Sequence, residues 1–494
     1  MSLINISNLT FSYDNSYDEI FSDVSFQIDT DWKLGFCGRN GRGKTTFLKL
    51  LTGEYEYRGT ITASVNFDYF PPAVKNLENS TISIIQGIAE RAKDWQIKKE
   101  LSKLTVDEDV LYRPFSTLSN GEKTKVLLAG LFLRENNFLL IDEPTNHLDM
   151  EARLKVAQYL KTKAGFILVS HDRAFLDECT DHILSINKTD IEIISGNFST
   201  FLEQKARRDA FELSQNEKLK KEIGRLESAA RRTATFADKA ESAKRIDPLK
   251  VDNKMGYSVY QGAKSKKLMA QSKSIEGRQT KSIEEKSKLL KNIESAEELK
   301  IQPMRYHAER LLTLKDVTVT YGTRDILQGF NLTLSRGDRL ALLGGNGSGK
   351  SSIIKLICGE SISHTGYVDI GSRLIISYVP QDASLLTGSL KDYAKEHGIC
   401  ETLFKSILFK LDFSRIQFEK DMRDFSQGQK KKVLIARSLC ERAHVYIWDE
   451  PLNYIDILSR MQIEDLILTF SPTMIFVEHD KAFCGNIATK TISL

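Results

Sequence analysis

Apolar residues fall into short runs along this chain, and each kind of run occurs twice. "KLGFC" at 33–37 and "RLALL" at 339–343 read as strands. Each leads through a glycine-rich turn into an amphipathic helix that ends at glycine, "TFLKLLTG" at 46–53 and "SIIKLICG" at 352–359. "FLLIDEP" and "VYIWDEP" are apolar strands that finish on two carboxylates, and "LVSHD" and "FVEHD" are apolar strands that finish on a histidine. Strands of this kind belong in a buried, mainly parallel sheet, so the pattern predicts an α/β fold.

The middle of the chain is patterned differently. Leu219, Ile223, Leu226, Ala230, Thr233, Ala237 and Ala240 follow an alternating 4-3 spacing, the seam of a long helix packed on one partner. That helix opens near Phe198 and breaks at Asp247-Pro248, because a residue before proline is driven out of the helical region. A sparser stripe, Leu268, Ile275, Ile283, Leu290 and Ile293, predicts a return arm from 264 to 300. Together they make an antiparallel hairpin with arms of about 60 Å. No apolar run is long enough for a transmembrane helix.

The paired runs are an internal repeat. Equivalent residues lie 306 to 308 positions apart: Lys44 and Lys350, Ser119 and Ser426, Glu143 and Glu450, His171 and His479. Residues 1–198 and 303–494 are thus two copies of one domain, and 199–302 is a helical linker whose tip loop lies near 247–263. A length of 494 residues fits this division. The net charge of +4 names no polyanionic partner, but its distribution does more. Residues 231–280 hold twelve Lys or Arg against five Asp or Glu, so basic charge gathers at the projecting end. Lys250, Lys254, Lys264, Lys266 and Lys267, with Met255, Tyr257 and Tyr260, form a surface that neutralises phosphates and stacks on unpaired bases. A merely solvated helix face is the alternative for such a charge run. Six separate cysteines and an amino terminus without a basic-then-apolar leader place the chain in the cytoplasm.

The glycine-rich turns carry the chemistry. Gly38, Arg39, Asn40, Gly41, Arg42, Gly43, Lys44, Thr45 and Thr46 match the phosphate-loop pattern, as do Gly344, Gly345, Asn346, Gly347, Ser348, Gly349, Lys350, Ser351 and Ser352. Glycines let backbone N–H groups converge on an anion, the following helix offers its positive end, and the lysine reaches the outer phosphates. Thr45 and Ser351 suit Mg²⁺, with Asp142 and Asp449 on the metal side. Glu143 and Glu450 suit the base that polarises an attacking water. His171 and His479 recur at the repeat offset, which favours a γ-phosphate contact over a scaffolding role.

The order phosphate loop, "LSNGE" or "FSQGQ", "DEP" and histidine resembles the ATP-binding cassette (ABC) nucleotide-binding domain in both halves. The resemblance implies two cassettes closing head-to-tail on two ATP molecules with Mg²⁺. Ser426 and Gly428 would then complete the site built on Lys44, and Ser119 and Gly121 the site built on Lys350. It also implies that Tyr13 and Tyr321 stack on adenine and that Gln381 senses Mg²⁺. The first half departs from the pattern with Pro72 at the glutamine's place and Asn120 where glycine is usual, so the two sites should differ in rate. Two complete cassettes joined by a charged linker resemble the ABC-F proteins, and within them the Lsa group of Gram-positive antibiotic-resistance proteins. That implies a monomer on the 70S ribosome, with rRNA and P-site tRNA as partners and no membrane or DNA. The linker tip would then displace lincosamides, pleuromutilins and streptogramin A near the peptidyl transferase centre. Alternatives are the ATPase subunit of a drug exporter, which needs a membrane partner, and a DNA-processing ATPase, whose arm would interrupt one cassette.

Overall fold

The computed structural model describes residues 2–13, 19–146, 148–186, 191–242, 299–322 and 324–494, with the main chain alone for 226–227, 229–242 and 324. The expected tip residues Lys250, Lys254, Met255, Tyr257, Tyr260, Lys264, Lys266 and Lys267 lie outside the described residues, as does the return arm up to 298. The chain divides into one compact unit, Met1–Phe201 with Ala296–Leu494, and a second, Leu202–Ser295.

Each half of the first unit has a parallel sheet that carries the loops and a smaller antiparallel sheet beside it. In the first half the six-stranded order is Asn66–Phe70, Asn137–Asp142, Phe166–Val169, Lys33–Cys37, His182–Ile186, Ile191–Ser195. All neighbours are parallel except the last pair. The five-stranded sheet of the second half runs Ile376–Val379, Val445–Asp449, Met474–Val477, Arg339–Leu343, Lys490–Ser493, parallel throughout. Register places the chemistry. Val169 stands opposite both Phe36 and Asp142, and Val477 opposite both Leu342 and Asp449, so loop, carboxylates and histidine leave the sheet at one carboxyl edge.

Packing then fixes the helices over that edge. The helix Lys44–Leu51 buries Phe47, Leu48, Leu50 and Leu51, the stripe its apolar spacing predicts. The Phe47 ring meets Phe21, Phe26 and Phe36 with centroids 6.1, 5.7 and 5.6 Å away, tying both sheets to the phosphate loop. Its counterpart Lys350–Ile357 does the same with Ile353, Ile354, Leu356 and Ile357. The helices Asn120–Phe132 and Gln427–Cys440 open on Ser119 and Ser426. Each serine accepts from the backbone N–H three residues on, while Glu122 or Gln429 reaches back to the serine's N–H.

The linker begins as one continuous helix, Phe198–Ser242, about 70 Å long. Phe198 and Phe201 at its start are buried, and Leu219 and Ile223 of the expected seam are half-buried. Among the described residues no helix is long and apolar enough to cross a membrane.

Candidate active site

Both phosphate loops close on a glycine at the helix N-cap with left-handed backbone, Gly43 at φ 88° and Gly349 at φ 96°. A Cβ on Gly43 would also stand 2.5 Å from the Ile20 side chain, so no other residue fits there without displacement. The lysines fold back over their own loops. Lys44 Nζ donates to Gly38 O at 2.6 Å and Arg39 O at 3.2 Å, and Lys350 Nζ to Gly344 O at 2.9 Å and Gly345 O at 2.7 Å. Burial lowers the pKa of both, opposed mainly by Asp456 and Glu143 for Lys44 and by Glu450 and Asp449 for Lys350.

Carboxylates face these lysines in both halves. Thr45 Oγ1 donates to Asp142 Oδ2 at 2.8 Å, and Tyr69 donates to the same oxygen at 2.9 Å. Ser351 hydrogen-bonds Asp449, whose Oδ1 is buried with no hydrogen-bond partner among the described residues. The next residue is strained in both cassettes: Glu143 has φ 50° and Glu450 φ 47°, each pinned by its N–H to Val169 O or Val477 O. His171 Nε2 lies 3.2 Å from Glu143 Oε1, and His479 Nε2 3.7 Å from Glu450 Oε1.

The two glutamates nonetheless differ in acidity. Burial, and then the charge of Asp142, push the Glu143 carboxyl well above the usual carboxylate range. Burial also acts against Glu450, but the neighbouring His479, a hydrogen bond from Gln381 and the charge of Lys431 hold it at about 2. Asn453 Nδ2 adds a hydrogen bond at 2.7 Å. Gln381 thus sits on Glu450, and the first cassette has Pro72 at that place.

The halves meet head-to-tail. A cavity of about 900 Å³ is lined on one side by Ser119, Asn120, Gly121 and Glu122, and on the other by Gly345, Asn346, Gly347 and Gly349 to Ser352, with Tyr321, Gln381, Glu450 and His479. At the other pairing, Asn40 Nδ2 donates to Tyr454 O at 2.8 Å, and a Cβ on Gly428 would stand 3.2 Å from that nitrogen. Arg39 and Arg42 lie 3.7 and 3.9 Å from Asp412 there. Ser426 caps its own helix. Tyr13 donates to, or accepts from, Thr46 Oγ1 at 2.7 Å and packs edge-on against Phe11 and Tyr55.

Sequence reasoning missed several of these residues. Asp149 lines the cavity, and its equivalent Asp456 acts electrostatically on Lys44. Both cap helices, Met150–Lys161 and Ile457–Phe470, and their shared offset of 307 was a readable signal. Asn453 shares that offset with Asn146, whereas Asp412 and Tyr454 carry no such mark.

Two phosphate loops, each met by the signature turn of the other half (Ser119 to Gly121 or Ser426 to Gly428), define a paired P-loop ATPase. The family model described as "ABC transporter" matches residues 21–146 and again 327–453, and a second model with that description matches 184–249. The chain belongs to the ABC family, in its ABC-F branch of tandem cassettes, and its cassettes bind and hydrolyse ATP. It is 29% identical to the ATP-binding protein Uup of Buchnera aphidicola over 99% of this chain and 80% of Uup. It is 28% identical to the ribosome protection protein VmlR of Bacillus subtilis, over 97% of this chain and 84% of VmlR. In fold it is similar to the archaeal ribosome recycling factor aABCE1, solved with the stalk protein aP1, at TM-score 0.64 and 18% identity, covering 98% and 87% of the two chains.

Proposed function

We propose that this chain binds the 70S ribosome in its ATP-closed form and presents the linker tip to the peptidyl transferase centre, where it displaces lincosamides, pleuromutilins and streptogramin A. The observation that carries the ATP-driven part is the composite cavity, in which the signature turn of one cassette faces the phosphate loop of the other. Full-length similarity to a ribosome protection protein supports the ribosomal part. In this reading the protein is a cytoplasmic monomer with domains at 1–198, 199–302 and 303–494. It closes on itself, with rRNA, and P-site tRNA beside it, as its partners.

Each residue then has a task. Lys44 and Lys350 hold the outer phosphates, His171 and His479 contact the γ-phosphate, and Tyr13 and Tyr321 support adenine. Ser119 with Gly121, and Ser426 with Gly428, complete the opposite sites. Glu143 and Glu450 accept a proton from the attacking water as it adds to the γ-phosphorus and the bond from that phosphorus to the β,γ-bridging oxygen breaks, releasing ADP and phosphate. Thr45, Asp142, Ser351, Asp449 and Gln381 form the metal side, and the unpartnered, buried Asp449 Oδ1 suits a divalent cation. Mg²⁺ there supplies positive charge to the outer phosphates.

Replacing residues 253–260 with a Gly/Ser loop of equal length tests the tip. Removal of Met255, Tyr257 and Tyr260 erases the stacking surface, while Lys250, Lys264, Lys266 and Lys267 still hold RNA phosphates. ATP-dependent pelleting with ribosomes should persist, and inhibitory concentrations of all three drug classes should drop to those of cells lacking the protein. Undiminished resistance would overturn the reading, and ATP-dependent membrane association in place of pelleting would favour the exporter subunit.

A further inference from the structure

The helix Gln427–Cys440 touches both sites. Its first turn stands against the first phosphate loop through Gly428 and Asn40. One turn further on, the buried Lys431 sends its ammonium toward the second site. There Nζ donates to Pro380 O at 2.9 Å, to Glu450 O at 3.0 Å and to Asp449 O at 3.4 Å. Those carbonyls flank Glu450, held at φ 47°, and precede Gln381, which hydrogen-bonds the Glu450 carboxylate.

Two charged groups of this neighbourhood, Lys431 and Glu478, have neutral counterparts in the first cassette. Burial disfavours its ammonium, and Glu478 leads the carboxylates that oppose this, ahead of Asp449 and Glu450. Glu478 is itself buried and accepts from Leu452 N at 2.7 Å, fixing the chain beyond Glu450. At the matching positions the first cassette has Thr124 for Lys431, Ser170 for Glu478 and Pro72 for Gln381. Ser170 instead contacts Thr145 Oγ1 at 3.2 Å. Three matched differences thus gather on one carboxyl edge, and a buried Lys431 stripped of Glu478, the first of the carboxylates that oppose its burial, would be disfavoured.

We propose that Lys431 is a positioning residue for hydrolysis at the second site. By gripping the backbone on both sides of Glu450 and the carbonyl before Gln381, it ties the geometry of that glutamate to the helix that closes over the first nucleotide. The inference rests on the assignment of Glu450 to water activation. It makes the coupling directional, because Thr124 offers no ammonium to the first cassette.

The test uses the full chain with Glu143→Gln, so that only the second site turns over. Lys431→Thr with Glu478→Ser removes both buried charges together and copies the first cassette. Second-site kcat should fall about 10- to 100-fold while KM for ATP stays within about 3-fold, because geometry is lost and binding is not. Lys431→Arg, which keeps charge and donors, should recover most of the rate. Ser426→Arg should lower second-site kcat when Lys431 is present and have no further effect in the Lys431→Thr/Glu478→Ser protein, a non-additive cycle. The inference is overturned by kcat within about 3-fold of the parent, by kcat and ATP affinity lost in step, or by additive losses. Should the double variant not fold, Lys431→Gln against Lys431→Arg provides the same comparison. Turnover surviving in Glu143→Gln/Glu450→Gln would instead sink the glutamate assignment, so the two failures are distinguishable.

Discussion

Glu143 and Glu450 leave equivalent strands with nearly the same left-handed backbone, yet their surroundings push their acidities in opposite directions. The difference lies in neighbours: Gln381, His479 and Lys431 favour the ionised Glu450, whereas burial and Asp142 favour the protonated Glu143. A base must be deprotonated to accept a proton, so a raised pKa makes activity increase with pH through that value. In the Glu450→Gln protein, where the first site alone works, kcat/KM should therefore rise between about pH 6 and about pH 9. In the Glu143→Gln protein it should be flat over the same range, since a carboxyl held at about 2 is already ionised. Parallel pH profiles would remove the proposed asymmetry. That the sites differ was readable from Pro72 and Asn120. The direction was not, because desolvation is set by atoms brought in from other parts of the chain.

At the scale of elements, the helix Lys44–Leu51 shows what periodicity delivers. Its apolar stripe announced a buried face, and Phe47 is fully buried on it. The rings it meets come from Phe21–Asp29 and Lys33–Cys37, strands of two different sheets, and no local pattern names them. Phe47→Ala removes the joint between those sheets and should cost about 3–5 kcal/mol of stability, read as a fall in melting temperature and urea midpoint. Phe47→Leu should cost markedly less, because most of the volume remains. Equal losses from both would mean that ring geometry, and not filled volume, holds the loop in place. The long helix from Phe198 was legible to its start and through Ser242, since a heptad-like seam is a local signal, while the expected break at Asp247-Pro248 lies outside the described residues.

At the scale of the whole molecule, function depends on the pairing of cassettes. Ser119 lines the cavity of the Lys350 loop, and Gly428, two residues past Ser426, lies against Asn40 of the Lys44 loop. Arginine at Ser119 fills space next to the second loop, and arginine at Ser426 disturbs the first. Photo-crosslinked nucleotide, mapped to each half after proteolysis, should therefore be lost from residues 303–494 in Ser119→Arg and from residues 1–198 in Ser426→Arg. Loss in the same half as the substitution would refute the crossed arrangement. The first pairing has an additional restraint in Arg39 and Arg42 against Asp412, where the second loop has Gly345 and Ser348.

Sequence by itself determined the duplication, the parallel sheets, both phosphate loops and the carboxylates and histidines at their edge. Each is written in a local run or in a fixed offset, and a strand that ends in a charge delivers it to the sheet's carboxyl edge wherever the strand sits. Tertiary structure alone decided which partners those groups meet. Asp412 opposite Arg39, Tyr454 opposite Asn40 and Lys431 beneath Glu450 join residues tens to hundreds of positions apart or on different elements, each in a sequence context that other lysines, tyrosines and aspartates share. Their effect depends on burial and on distances of about 3–4 Å, over which charge and hydrogen bonding change steeply, and such distances exist only once each cassette has folded and the two have packed.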